Sequence, residues 1–402
     1  MSGSRSPRDF IANHVRQIPR SGIRDFFDIV ATRRDVISLG IGEPDFVTPW
    51  HIREASIFAL DRGATSYTAN LGLIELRQAI ARYIRTRFGP HYDPETEILV
   101  TVGVSEALDL AVRAVVEPGD EVIYHEPSFV AYAPIVRLAH GVPVPVATSR
   151  VNGFRLSRRL LERAVTPRTK VLLLNFPTNP TGAVLTPEDA SEIAAFARER
   201  NILVFTDEIY AELTYGAERV CIASLPGMKQ RTVLLNGFSK SWAMTGFRIG
   251  FVCAPPPLIE AMMKIHQYTM MCAPILSQRA AIEAVNRGDA DMERMRLEYE
   301  RRRNFICAAL NEMGLPCHRP QGAFYAFPRI AGLGLSSKEF ALRLLDEENV
   351  ACVPGSAFGE SGEGYVRCAF AVEMDDLKEA MRRMSKFVGR LAKRRKKTRL
   401  AT

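Results

Sequence analysis

Between residues 98 and 253 the chain repeats one pattern: a run of four or five mostly apolar residues, then a longer stretch in which apolar and polar positions alternate with helical spacing. The apolar runs fall at 98–102, 121–124, 142–146, 170–174, 203–206, 232–235 and 249–253. Near-continuous apolar runs are what strands buried on both faces require. Strands alternating with helical stretches, such as 105–116 and 189–200, predict a mostly parallel sheet covered by helices on both sides. After Ala254 the pattern changes. Charged positions interspersed with Met295, Leu297, Phe305 and Leu310 predict a long helix over 289–313. The remainder, from about Leu315, mixes short strands and helices and ends in an amphipathic helix over 374–391. No internal repeat is evident.

A chain of 402 residues is long enough for about two domains. With 47% hydrophobic and 24% charged residues it has the composition of an ordinary globular protein. No uncharged apolar run approaches the roughly 18 residues needed to cross a bilayer, and no apolar signal core follows the basic N-terminus. These features predict a cytoplasmic protein with no membrane partner. The net charge of +8 is concentrated: Lys393, Arg394, Arg395, Lys396, Lys397 and Arg399 lie in the last ten residues, so the body is close to neutral. That run reads as a solvated helix end and not as a nucleic-acid surface, because no zinc spacing or basic helix-turn-helix pattern accompanies it. Seven widely spaced cysteines without a C-x-x-C pair read as reduced thiols. The histidines are equally scattered, and no metal site is predicted.

Four candidate constellations follow predicted strands, where open sheets of this kind bind ligands. Val104 and Ser105 lie where 98–102 turns through Gly103 into a helix, and free N–H groups there favour a phosphate; Ser105 could also be a simple N-cap. The run Asn175-Phe176-Pro177-Thr178-Asn179-Pro180-Thr181-Gly182 is either a tight turn or a rigid mount for a side-chain amide. Asp207, entering the buried end of 203–206, needs a positive partner such as a protonated ring nitrogen, or else an ordinary salt bridge or cap. The stretch Gly237-Phe238-Ser239-Lys240 follows an apolar strand, with Arg248 eight residues on. A lysine in a dry pocket can lose its proton and bond to an aldehyde, and an arginine can clamp a phosphate. Singly each is ambiguous. Together they specify pyridoxal 5′-phosphate.

With these motifs the chain resembles the class I and II aminotransferases, pyridoxal-phosphate enzymes of fold type I, and within them the aspartate and aromatic aminotransferase branch. The resemblance runs from about Ile18 to Phe387. Besides the lysine segment through Thr245-Gly246-Phe247-Arg248, it rests on Ser38-Leu39-Gly40-Ile41-Gly42-Glu43-Pro44-Asp45-Phe46, Tyr67-Thr68-Ala69-Asn70, Asn179-Pro180-Thr181-Gly182, Asp207-Glu208-Ile209-Tyr210, Pro320-Gln321-Gly322-Ala323-Phe324-Tyr325 and Tyr365-Val366-Arg367. It implies an α/β fold with a large domain, built on a mostly parallel seven-stranded sheet, and a smaller α+β domain drawn from both chain ends. The expected division is an N-terminal segment 1–47 joining the small domain, a cofactor-binding domain 48–288, a small domain 289–392 and a disordered basic tail 393–402.

The resemblance further implies that Lys240 bonds to the cofactor and that Asp207 pairs with its ring nitrogen. Asn179 and Tyr210 then hold the phenolic oxygen, and Phe129 stacks on the ring. Phosphate contacts fall to Val104, Ser105 and Arg248, with Tyr67 reaching in from a partner subunit, and Ser239 is a further cofactor-binding residue. Arg367, Asn179 and the Gly42 backbone grip the substrate carboxylate, and the active unit is a homodimer. Gly237 departs from the branches that place a phosphate-binding serine there. The expected reaction is a ping-pong transfer of an amino group from an L-amino acid to a 2-oxo acid, 2-oxoglutarate being the expected acceptor. No lysine stands at Ser105 and no arginine within 268–272, the places where aspartate-specific branches carry a cation. Tyr268, Met270 and Met271 suit a large donor or simply pack a subunit interface. Aromatic or other large donors are therefore expected. The alternatives are an aspartate aminotransferase, a β-lyase on the same fold, or a non-enzymatic regulatory protein using the basic tail.

Overall fold

The structure is a computed structural model that describes residues 6–20, 22, 33 and 35–400, without the side chains of 394–400. Parts of the expected N-terminal segment and most side chains of the basic run lie outside the described residues. Strands are numbered in chain order: β1 (Ile37–Ser38), β2 (Ile98–Thr101), β3 (Glu121–Glu126), β4 (Val142–Ala147), β5 (Thr169–Asn175), β6 (Leu203–Asp207), β7 (Thr232–Gly237), β8 (Gly250–Cys253), β9 (Tyr325–Ala326), β10 (Val350–Ala351), β11 (Val353–Pro354) and β12 (Val366–Ala369).

Seven of them form one sheet in the order β2-β8-β7-β6-β5-β3-β4. All seven apolar runs read from the sequence are these strands, extended or trimmed by one or two residues. β3 through β7 are mutually parallel, and β8 runs antiparallel to both β7 and β2. β2 therefore points the same way as β7. The chain reverses its direction of travel across the sheet between β4 and β5, and a crevice opens at such a reversal outside the carboxyl ends of the strands. The ends of β2, β3, β5, β6 and β7 all lie along that edge. Parallel strands covered on both faces explain why β5, β6 and β7 are buried almost throughout.

Helix Gly103–Val115 buries Ala107, Leu108, Leu110, Ala111 and Val112 on one face against the sheet. Its N-cap is Val102, so the helix begins two residues before the expected start and Ser105 is not its cap. Helices Trp50–Asp61 and Ile74–Phe88, which were not among the expected elements, pack on helix Ile275–Arg287.

The C-terminal part has its own core, in which Tyr299, Ile306 and Leu310 of helix Asp289–Glu312 meet Phe340, Leu344 and Phe387. A three-stranded antiparallel sheet, β11-β12-β9, lies in it, and β1 pairs in parallel with β10. Helix Ser337–Glu348 is started by a capping box between Ser336 and Glu339. The last helix runs Met374–Leu400. The backbone of the basic run, expected to be a disordered tail, is thus helical as far as Leu400. A run rich in Lys, Arg and Leu has the propensity to prolong a helix already nucleated upstream.

Candidate active site

A cavity of about 700 Å³ opens at the strand-end crevice, lined by residues from the seven-stranded sheet, the Ile41–Glu43 segment and β12. Val104, Ser105, Phe129, Asn179, Asp207, Tyr210, Ser239, Lys240, Arg248, Gly42 and Arg367 all line it. Tyr67 does not. It stands 81% exposed and is not among the residues that line this cavity.

Asp207 closes β6 and is buried. The Tyr132 hydroxyl donates to its Oδ2 at 2.8 Å and the Ile209 N–H to its Oδ1 at 3.2 Å. Neither partner is a cation, and burial pushes the carboxyl up to about 6 despite these hydrogen bonds. Asn175, at the end of β5, donates to the Asp207 carbonyl at 3.0 Å and accepts from the Asn179 N–H at 3.1 Å. One side chain thereby fixes two neighbouring strand ends.

Lys240 follows β7. Its Nζ donates to the Gly42 carbonyl at 2.6 Å and lies over the rings of Tyr210 and Phe324 at 6.0 and 5.9 Å. Burial, reinforced by the charges of Arg367 and Arg248, lowers its ammonium to about 8 against the pull of Glu43. An amine so shifted has a substantial neutral fraction near pH 7, as a nucleophile or base must.

Two arginines bound the cavity. Arg367, on β12, is 1% exposed, donates to Asn179 Oδ1 at 3.0 Å and to the Gly40 carbonyl, and lies 4.4 Å from the centre of the Tyr325 ring. Its Nε has no partner, and burial lowers its guanidinium below the ordinary value. A buried guanidinium without a carboxylate partner among the described residues is suited to bind an anion. Arg248 sits in the left-handed region at φ 52° and donates to the Thr245 carbonyl at 3.1 Å. It lies against the turn at the start of helix Gly103–Val115. A Cβ on Gly103, itself at φ 78°, would come within 2.7 Å of the Arg248 guanidinium, so only glycine lets the two approach. Gly237 is less constrained: a Cβ there would lie 3.1 Å from both Gly250 Cα and Val104 Cγ2, so a serine would require these neighbours to give by a few tenths of an ångström.

The cavity thus has a half-buried lysine, a buried carboxylate lacking a cation, a helix N-terminus beside an arginine, and a buried arginine lacking an anion. That donor set fits pyridoxal phosphate and a substrate carboxylate. The profile of the family described as aminotransferase class I and II matches residues 34–384. The chain belongs to this family. It is a pyridoxal-phosphate-dependent aminotransferase of the α/β architecture those enzymes share. The aspartate aminotransferase of Pyrococcus abyssi is 50% identical over 369 residues, covering 91% of this chain and 95% of that protein. The aromatic-amino-acid aminotransferase 2 of Thermococcus litoralis is 47% identical over 379 residues, covering 94% and 97%. The crystal structure of an aromatic aminotransferase from Pyrococcus horikoshii superposes with a TM-score of 0.87 at 48% identity, covering 92% of this chain and 99% of that one.

Three residues of the aminotransferase cavity escaped the sequence reading as site residues: Tyr132, Asn175 and Tyr325. Tyr132 lies three positions after Phe129, the spacing that brings side chains together on a helical turn, and the two rings meet edge to face at 5.7 Å. Asn175 opens the quoted turn, without a site role there, and the structure makes it the last residue of β5. Tyr325 exchanges a hydroxyl hydrogen bond with Tyr210 at 2.8 Å.

Proposed function

We propose that this aminotransferase prefers aromatic or other large L-amino acids as donors and 2-oxoglutarate as acceptor. The observation that carries the preference is the cavity's charge inventory. Its cations are Lys240, Arg248 and Arg367, and each already has a part to play, while Ile41, Leu108, Phe129 and Ile135 present apolar wall. A donor with a second carboxylate would bury it without a partner. The acceptor assignment rests on the family resemblance and not on this charge inventory.

Bound pyridoxal phosphate supplies an aldehyde carbon that bonds to amines and a ring that withdraws electrons. Lys240 would hold the cofactor through its amine, and the same amine would serve as the base for the proton of the substrate α-carbon. Asp207 provides the negative charge that keeps a ring nitrogen protonated. Asn179 and Tyr210 would hold the phenolic oxygen, Phe129 would stack on the ring, Val104, Ser105 and Arg248 would hold the phosphate, and Ser239 would be a further cofactor contact. Arg367, with Asn179 and the Gly42 backbone, grips the substrate carboxylate and fixes the α-carbon beside Lys240.

Helix Trp50–Asp61 buries only Ile52, and Trp50, Ile57, Phe58, Tyr67 and Tyr268 are more than half exposed. So much bare apolar surface supports a homodimer in which Tyr67 completes the partner's phosphate site. The division into 48–288 and 289–392, with 1–47 joining the latter, and a cytoplasmic location complete the reading. Among the described residues no helix is long and apolar enough to cross a membrane.

Steady-state turnover of Phe, Tyr and Asp with 2-oxoglutarate tests the substrate assignment. Phe or Tyr should exceed Asp in kcat/KM, and a tenfold preference for Asp would overturn it in favour of the aspartate reading that the Pyrococcus abyssi relative supports. Product formed without consumption of 2-oxoglutarate would point instead to β-elimination.

A further inference from the structure

Behind the phosphate turn lies a second pair of ionisable side chains that the reaction does not use. Glu106 is in the first turn of helix Gly103–Val115, on the face away from the cavity, with its side chain 8% exposed. One carboxylate oxygen accepts the Val102 N–H, the backbone donor at the helix cap. The other meets His266 Nδ1 at 2.7 Å. His266 belongs to helix Pro256–Thr269, is fully buried, and has no partner at Nε2.

A carboxylate there poses an electrostatic problem. The first turn of the helix is where free N–H groups and the helix dipole attract the cofactor phosphate. A buried negative charge in that turn opposes the phosphate in a medium that screens poorly. Arg113 is paired with Asp109 at 3.2 Å, and Arg248 faces the turn from the cavity side, so neither arginine is in contact with Glu106. His266 is the group in contact with it.

We propose that His266 positions and neutralises the phosphate turn: the Glu106–His266 pair shares one proton and carries no net charge, so that Glu106 can brace the Val102 N–H without repelling the phosphate. His266 is a positioning residue that acts through Glu106. The inference rests on the assignment of the phosphate to the Val104–Ser105 turn and Arg248.

The test compares cofactor-stripped protein titrated with pyridoxal 5′-phosphate and with pyridoxal, which lacks the phosphate, both followed by absorption at pH 8. His266→Gln keeps a hydrogen-bond donor for Glu106 but cannot hold its proton. It should weaken pyridoxal phosphate binding about tenfold while leaving pyridoxal binding unchanged, the size of effect one charge has at a partly buried helix N-terminus. In the double variant Glu106→Gln, His266→Gln no charge remains, and the wild-type ratio of the two affinities should return. If the single variant does not fold, a folded double variant with the wild-type ratio supports the proposal. An unchanged ratio in His266→Gln overturns it, as does an equal loss in the single and double variants. Arg248→Gln separates the two readings. If it spares the phosphate preference, the site assignment falls and this inference with it; if it removes that preference while His266→Gln does not, only the inference falls.

Discussion

Replacing Asp207 with asparagine should make the cofactor-free protein more stable while removing its activity. The carboxyl is carried from its ordinary 3.8 to about 6 by burial. The folded state therefore binds a proton between those values that the unfolded chain has released, and stability falls as pH rises through that window. At about 1.4 kcal/mol per pH unit, the loss is complete above pH 6 and amounts to about 3 kcal/mol. Asparagine removes the charge and keeps the hydrogen bonds, because its amide oxygen can accept the Ile209 N–H and its amide can donate to the Tyr132 oxygen. Urea denaturation of cofactor-stripped protein at pH 5 and pH 8, followed by tryptophan fluorescence, measures the difference. Glu208, buried and pushed up to about 8, gives both proteins a slope of the same sign, so the quantity to read is the gap between them. Asp207→Asn should gain up to about 3 kcal/mol over wild type at pH 8 and less at pH 5. Bound pyridoxal phosphate should close the gap, since its ring nitrogen gives the wild-type carboxylate the cation it lacks. A gap that is absent at pH 8, or identical at the two pH values, refutes the reasoning.

Tyr132→Phe removes a hydrogen bond that favours the ionised carboxylate, so the midpoint of the Asp207-dependent stability loss should move above about 6 in the same denaturation series. Lys240, lowered to about 8, should bond to pyridoxal phosphate in stripped protein at a rate that rises with pH and levels off above about 8; a rate still climbing steeply at pH 10 would mean an ordinary lysine. Gly103→Ala forces a left-handed residue against the Arg248 guanidinium and should cost about 1–2 kcal/mol in thermal stability and weaken cofactor binding. Arg367→Gln should raise KM for the amino donor by roughly a hundredfold, the worth of a charge-assisted two-pronged contact, with the cofactor spectrum unchanged.

The parts of the fold that were legible are those in which burial dictates composition. The strands β2 and β5 through β8 announce themselves because they are buried almost throughout, so most of their positions are apolar, whereas β4, an edge strand with half its positions exposed, is marked by its repeated valines. Helix Ile74–Phe88 buries Leu76, Ile80, Tyr83 and Ile84 at helical spacing and its pattern was there to be read, whereas helix Trp50–Asp61 was not legible for the complementary reason. It buries only Ile52 within the chain, and its exposed Trp50, Ile57 and Phe58 blur the division between inner and outer faces that helical periodicity depends on. The candidate site divides in the same way. Lys240, Asp207, Arg248 and Arg367 are chemically conspicuous because a charge beside a buried strand demands a reason. Tyr132 and Asn175 are conspicuous only in three dimensions: one meets Asp207 across 75 positions of sequence, the other ties Asp207 to Asn179, and neither contact has a local signature. The pair Glu106 and His266, separated by 160 positions, was invisible for this reason as well. The positions that bear the reactive charges can thus be read from residue type, whereas those that set the energies of these charges depend on how the β6 edge and the surrounding helices pack. Asp207 at about 6 and Lys240 at about 8 are both products of that packing, and each is poised for a partner of opposite charge or a covalent bond. A cavity holding a buried carboxylate without a cation and a buried guanidinium without an anion is costly as an empty fold. On the proposed roles a cationic ring nitrogen would relieve the first cost and a substrate carboxylate the second, each on its own, which couples the stability of this protein to the binding that its chemistry requires.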